Sequence, residues 1–210
     1  MPPHAVKHPL FARAYARFAA HEDARGGIEN RQELLAGLSG RVVEVGAGVG
    51  SNFAHYPAAV TEVVAVEPEP YLRAKAEAAA ATAPVTVRVV DGLAERLQLE
   101  DESVDAGVAS LVLCSVPDQA AALAELRRVI KPGGELRFYE HVISNRASRR
   151  RFQRFMDATL WPRIAGGCHM TRDTRRAMEQ AGFMVQRSRR FPFPSGAFGI
   201  PHILGSARRP

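Results

Sequence analysis

RVVEVGAGVGSN, residues 41–52, sets a short apolar run against a glycine-rich turn. Val42–Val45 reads as a buried strand. Gly46, Gly48 and Gly50 then let the backbone turn sharply and approach a ligand with no Cβ in the way. Strand-like runs recur at Val63–Val66, Val85–Val90, Val104–Ala109 and Leu136–His141, with helical stretches over Pro70–Thr82 and Asp118–Ile130 between them. Asp118 is an expected N-cap, Leu123, Leu126 and Ile130 make an apolar stripe, and KPGG at 131–134 ends that helix. This alternation predicts a doubly wound α/β fold, a mostly parallel sheet with helices on both faces. Further helices are expected at 146–163 and 171–181, the second capped by Thr171, and Phe183–Arg189 and His202–Ala207 are expected closing strands. At 210 residues the chain is one domain. Residues 1–38 are expected to be a helical lid broken around Gly26-Gly27, 39–145 the ligand-binding α/β core, and 146–210 the C-terminal half of the same domain, with helices roofing the pocket.

In an open α/β sheet the ligand lies beyond the carboxyl ends of the strands. Glu67 follows Gly46 by 21 residues and ends the second strand run, where a carboxylate can accept both hydroxyls of a ribose. The loop is G-x-G-x-G, and Ser51 stands where a dinucleotide fingerprint has its third glycine. Glu44, two residues before the loop, disfavours a pyrophosphate and suits a ligand carrying an ammonium and a sulfonium. S-adenosylmethionine has both and no phosphate, and it is the expected cofactor.

VVEVGAGVG, VAVEPEP, DAGVASLVLCSV and KPGGELRFYEHV together resemble the seven-stranded, class I S-adenosylmethionine-dependent methyltransferases over about residues 38–185. LVLCSV, FYEHV, GCHMTRDT and PHILGSA are most similar, within that superfamily, to the small thiol S-methyltransferases. The resemblance implies strand order 3-2-1-4-5-7-6 with the last strand antiparallel. It also implies that Glu44 sits near the methionine ammonium, and that Gly46, Ala47, Gly48 and Gly50, with Asn52 behind them, wrap the methionyl and ribose portion. Glu67 would hold the ribose, Pro68 and the segment Asp91, Gly92, Leu93, Ala94 would face the adenine, and Ser110 and Leu111 would run along the methionine. Much of the superfamily has an acid where Leu93 stands, so here backbone groups, Asp91 or Glu95 must read the adenine amino group.

Methyl transfer from a sulfonium is an in-line displacement needing a nucleophile roughly 3 Å from the methyl carbon. A thiol acceptor must become a thiolate, which nearby positive charge or a base promotes. His141, at the end of the fifth strand run, is the expected catalytic base, its alternative being a histidine bonded only to backbone. Cys114, Asp157, Trp161 and His169 are expected at the substrate side, although Cys114 also reads as a small apolar filler. Arg172 reads either as charge for a thiolate or as a solvated first-turn residue. Tyr15 and Phe11 lie on a helix that reads either as a lid over the cofactor or as simple core packing. Cys168-His169 lacks partners at zinc spacing, so no metal is expected.

Residues 1–140 hold 14 Lys and Arg against 19 Asp and Glu, a net of −5, whereas 141–210 hold 14 against 3, a net of +11. RASRRRFQRFMDATLWPR interleaves Arg149, Arg150, Arg151 and Arg154 with Phe152, Phe155, Leu160 and Trp161, the pattern of a basic amphipathic helix. It fits peripheral contact with an anionic membrane, a cover for an apolar pocket, or a solvated helix whose one acid, Asp157, points inward. A nucleic-acid substrate is disfavoured, since the fourth strand is followed by LVLCSV rather than an N/D-P-P-Y/F loop. The N-terminal stretch has no signal-peptide h-region, and two cysteines suit a reducing compartment, so a cytoplasmic protein is expected. The reading is thus transfer of a methyl group to a small, largely apolar acceptor, best a thiol, with O- or N-methylation of a lipid, quinone or natural product as the alternative.

Overall fold

The computed structural model describes residues 9–193 and 199–210. Seven strands form one sheet: β1 Gly40–Val45, β2 Val60–Val66, β3 Val87–Val90, β4 Val104–Ser110, β5 Ile130–His141, β6 Met184–Phe193 and β7 Ile200–Arg208. Their order is β3-β2-β1-β4-β5-β7-β6. β1 pairs in parallel with both β2 and β4, while β7 runs antiparallel to β5 and β6. Strand order therefore reverses between β1 and β4, and a crevice opens beyond their carboxyl ends.

The helices form where local chemistry starts and stops them. In α3, Pro70–Ala80, Pro70 stands in the first turn and the Glu69 carboxylate caps the Leu72 N–H at 2.8 Å. In α4, Gln119–Val129, Asp118 caps the Ala121 N–H at 2.9 Å, and Leu123, Leu126 and Val129 face the core. The N-terminal helical region divides into α1, Pro9–Glu22, and α2, Ile28–Leu35, across a kink at Gly26 with φ +103°. The expected helix 146–163 is likewise two, α5 Ala147–Ala158 and α6 Trp161–Ile164. The last helix, α7 Thr174–Gln180, starts later than expected, with Asp173 rather than Thr171 as its N-cap. Thr171 is unavailable because its N–H and hydroxyl both donate to Asp157.

Two apolar clusters flank the sheet. One joins Val43, Val45 and Leu136 to Leu123, Leu126 and Met178 of α4 and α7. The other joins Val42, Val63 and Val108 to Leu34 and Leu35 of α2 and Ala76 of α3. Part of the C-terminal basic excess lies on β6, an edge strand whose Arg187, Arg189, Arg190 and Pro192 discourage pairing with another chain. Among the described residues, no helix is long and apolar enough to cross a membrane.

Candidate active site

The crevice between β1 and β4 holds a groove lined by Tyr15, Gly46, Gly48, Glu67, Pro68, Leu93, Ala94 and Leu111 among others. Its floor is the glycine turn. Gly46 and Ala47 N–H both donate to the Val66 carbonyl, at 2.8 and 3.1 Å, drawing the loop over the end of β2. Gly46 and Gly48 take φ of +65° and +58°. A Cβ on Gly46 would come within 2.3 Å of Val112, and one on Gly48 within 3.0 Å of the Tyr15 ring. Both conformation and clearance therefore require glycine.

Glu67 sits at the rim, 5% exposed. One of its oxygens accepts the Gly48 N–H at 2.8 Å and the other the Glu69 N–H at 2.9 Å. Burial raises its pKa to about 7, against the opposing pull of those two N–H groups. Each oxygen retains acceptor capacity for a ligand hydroxyl. Leu111 is held at φ +57°, an unusual conformation for a branched residue, by its N–H bond to the Tyr139 carbonyl at 2.7 Å. Beside it the Ser110 hydroxyl is buried with no partner among the described residues.

The lining carries Glu67, Glu69 and Glu95 and no basic side chain among the described residues, in a chain whose net charge is +6. Such a groove gives a pyrophosphate no counter-charge and favours a cation. The orphaned Ser110 hydroxyl, the glycine cradle and the rim carboxylate all fit S-adenosylmethionine. Of the two acids considered for the adenine edge, Glu95 lines the groove, whereas Asp91 pairs with Arg73 at 3.1 Å and does not.

Other expected donor residues lie beside the groove rather than in its lining. Glu44 is buried under the loop, accepting from Asn52 Nδ2 at 2.8 Å and the Tyr56 hydroxyl at 2.6 Å. Arg31 of α2 donates to Asn52 Oδ1 and to Asp23, both at 2.9 Å, so Glu44 and Asn52 belong to a polar truss tying α2 to the turn. Desolvation raises the Glu44 pKa to about 7, although Tyr56, Asn52 and Arg31 pull it down. Ala47 packs in the core, Gly50 turns against Phe53, and Gly92 backs onto Val66.

Next to the groove, the segment after β4 is held from three sides. Fully buried Glu140 of β5 accepts the N–H groups of Val112, Leu113 and Cys114 at 2.8–3.1 Å. Arg172 donates to the Leu113 and Val116 carbonyls at 2.5 and 2.6 Å, so it clamps this segment rather than standing in solvent. The His169 N–H donates to the Cys114 carbonyl at 2.8 Å. These restraints bring Cys114 Sγ to 3.5 Å and Cys168 Sγ to 3.4 Å from one atom, His141 Nδ1. Hydrogen bonding from Cys114, with further help from His141 and the Trp161 indole, lowers the Cys168 pKa, while Cys114 is raised.

Asp157 does point inward, accepting the Met170 and Thr171 N–H groups at 3.0 and 2.9 Å. The His169 ring is 42% exposed and lies 4.0 Å from Asp157. Neither lines the groove; Ser115, next to Cys114, and Gly166, two residues before Cys168, do.

Comparison with known proteins agrees with this architecture. A family described as "Methyltransferase domain" matches residues 43–138. Thiol S-methyltransferase TMT1B of Mus musculus is 35% identical over 204 residues, 94% of this chain and 82% of that protein. Thiol S-methyltransferase TMT1A of Homo sapiens is 35% identical over 186 residues, 86% and 75% of the two chains. The chain belongs to the class I S-adenosylmethionine-dependent methyltransferases. Among solved structures, geranyl diphosphate methyltransferase in complex with S-adenosylmethionine superposes with a TM-score of 0.69 at 15% identity, covering 98% of this chain and 94% of that one. An S-adenosylmethionine-dependent methyltransferase from Mesorhizobium loti gives 0.61 at 22% identity, covering 85% and 95%.

Sequence reasoning about this methyltransferase missed Glu140 and the convergence of two cysteines on His141. A lone acid in an otherwise apolar strand run, FYEH, is a signal for the first, because a buried carboxylate needs donors. For the second no signal exists in linear spacing, since the three residues come from separate segments.

Proposed function

We propose that the enzyme transfers the methyl group of S-adenosylmethionine to the sulfur of a small, largely apolar thiol. The observation that carries this is the Cys114–His141–Cys168 cluster, whose two cysteines belong to the segments that reach the groove through Ser115 and Gly166. Bound S-adenosylmethionine supplies a methyl carbon made electrophilic by its sulfonium. Glu67 holds the ribose hydroxyls, Ser110 takes a polar group of the methionyl arm, and α1, through Tyr15 and Phe11, closes over the donor as a lid. Leu111, Val112 and Val116 exclude water from the transfer path. His141, 3.4 Å from the Cys168 sulfur, is assigned as the base that takes the proton of the incoming thiol.

The relatives named for thiol methylation support the same acceptor, and the free cysteines Cys114 and Cys168 suit a cytoplasmic enzyme. On α5 and beyond it, Phe152, Phe155, Leu160 and Ile164 are all more than half exposed beside Arg149, Arg150, Arg151 and Arg154. That surface fits peripheral contact with an anionic membrane, from which an apolar acceptor would arrive.

The test is formation of S-adenosylhomocysteine with a small alkyl thiol, hydrogen sulfide, a phenol or an amine, each above the rate without acceptor. Product with the sulfur nucleophiles alone is expected. Turnover only with the phenol or the amine would overturn the thiol reading and favour O- or N-methylation.

A further inference from the structure

We propose that Cys114, His141 and Cys168 bind a zinc-type metal ion whose open coordination position takes the acceptor thiol. This rests on the thiol reading above and supplies its activation step. Zinc bonds sulfur at about 2.3 Å and imidazole nitrogen at about 2.0–2.1 Å, so a tetrahedral site has nitrogen–sulfur edges of about 3.5 Å. The two sulfurs lie 3.5 and 3.4 Å from His141 Nδ1, and all three donor atoms fall within 4.8 Å of one another. Both cysteines are buried, at 1% and 4% exposure, which shields a metal–thiolate bond from water.

The donors are preset by the surrounding backbone. Glu140 anchors the Cys114 N–H at 3.1 Å, and the Cys114 carbonyl accepts the His169 N–H, one residue past Cys168. At Gly167 the two segments approach so closely that a Cβ would meet the Ser115 carbonyl oxygen at 2.9 Å. Two cysteines and one histidine are a three-donor set of the catalytic type, which keeps a fourth position for water or substrate.

In the resulting step the acceptor R–SH replaces water on the metal and releases its proton to solvent. The metal-bound thiolate donates an electron pair to the methyl carbon as the sulfonium–methyl bond breaks. The electron pair of the broken bond stays on the donor sulfur, giving neutral S-adenosylhomocysteine, and the thioether leaves the metal. Nothing is oxidised or reduced. His141 is then a ligand, and coordination replaces the base.

The whole chain, purified reduced and without a histidine tag, should carry about one zinc. Exchange into cobalt(II) should give sulfur-to-cobalt charge-transfer bands and the intense visible bands of a tetrahedral ion. Adding a small alkyl thiol, without donor, should shift those bands. Cys114→Ser and Cys168→Ser should each lose metal at least tenfold while keeping S-adenosylhomocysteine binding, which shows that they fold. A reduced protein that takes up neither metal, or cysteine variants that load as the parent does, would overturn the site. Cobalt bands unmoved by thiol would overturn its role in acceptor binding. If metal-free protein methylates thiols, the inference fails while the thiol reading stands and the imidazole remains the base.

Discussion

Replacing Glu67 by Gln tests the donor site at its most informative atom pair. The two carboxylate oxygens accept the Gly48 and Glu69 N–H groups at 2.8 and 2.9 Å. Glutamine has one oxygen, so one of those N–H groups would face an NH2, an unmade bond that costs about 1–3 kcal/mol of stability. The variant also loses the charged acceptor for the ribose. A hydrogen bond to a charged group contributes about 1.5–3 kcal/mol. At about 1.4 kcal/mol per tenfold, this becomes a roughly 10- to 150-fold weaker Kd. Titration calorimetry with S-adenosylhomocysteine at pH 8 reads it, since the Glu67 pKa of about 7 leaves the parent carboxylate ionised there. The pH dependence has a definite sign. Ribose hydroxyls donate, so they bind the carboxylate better than the acid, and parent affinity should fall as pH drops below about 7, by up to about tenfold per unit. The Gln variant should lack that slope. A Kd within about threefold of the parent, with the slope retained, would refute the assignment of Glu67 to the ribose.

Three further perturbations probe separate parts of the structure. Arg172→Ala removes two charge-assisted bonds to the Leu113 and Val116 carbonyls and should lower unfolding stability by about 2–4 kcal/mol, with Arg172→Lys costing about half; a loss below about 0.5 kcal/mol in urea unfolding would contradict the clamp. Gly46→Ala should abolish donor binding, because its Cβ would lie 2.3 Å from Val112 at φ +65°. Gly37→Ala, at φ +77° but with no atom nearer than 4.0 Å, should cost only the left-handed strain of about 1–2 kcal/mol and keep donor affinity, so equal calorimetric behaviour of the two would sink the steric argument. Exchanging Phe152 and Phe155 for Ser should reduce co-sedimentation with anionic liposomes several-fold without changing turnover of a soluble thiol; unchanged sedimentation would remove α5 from the membrane proposal.

How far the sequence could be read follows the range over which each feature is determined. Strands and capped helices depend on neighbours within a few residues, so Asp118 and the alanine-rich stretch after Pro70 were legible. Thr171 was not, because the competing acceptor, Asp157, is 14 residues away. In the donor half the glycine turn and Glu67 lie at the ends of adjacent strands, and the parallel βαβ unit makes their meeting a local matter. Glu44 shows the limit of that reasoning. Strand side chains alternate, so it shares the face of Val42, which packs against α2, and its partners are Asn52 and Tyr56 rather than the groove. The cluster of two cysteines and a histidine is determined at longer range still. Cys114 and Cys168 each stand 27 residues from His141, and nothing along the chain marks that spacing. They converge only once β4 and β5 lie side by side, Glu140 gathers three amides, and the His169 N–H finds the Cys114 carbonyl. Cys168 and His169 are neighbours in the chain, yet folding turns His169 toward solvent and brings His141 to the Cys168 sulfur. A shared scaffold can thus announce its cofactor in a dozen consecutive residues, while the chemistry that chooses an acceptor is written in tertiary contacts alone.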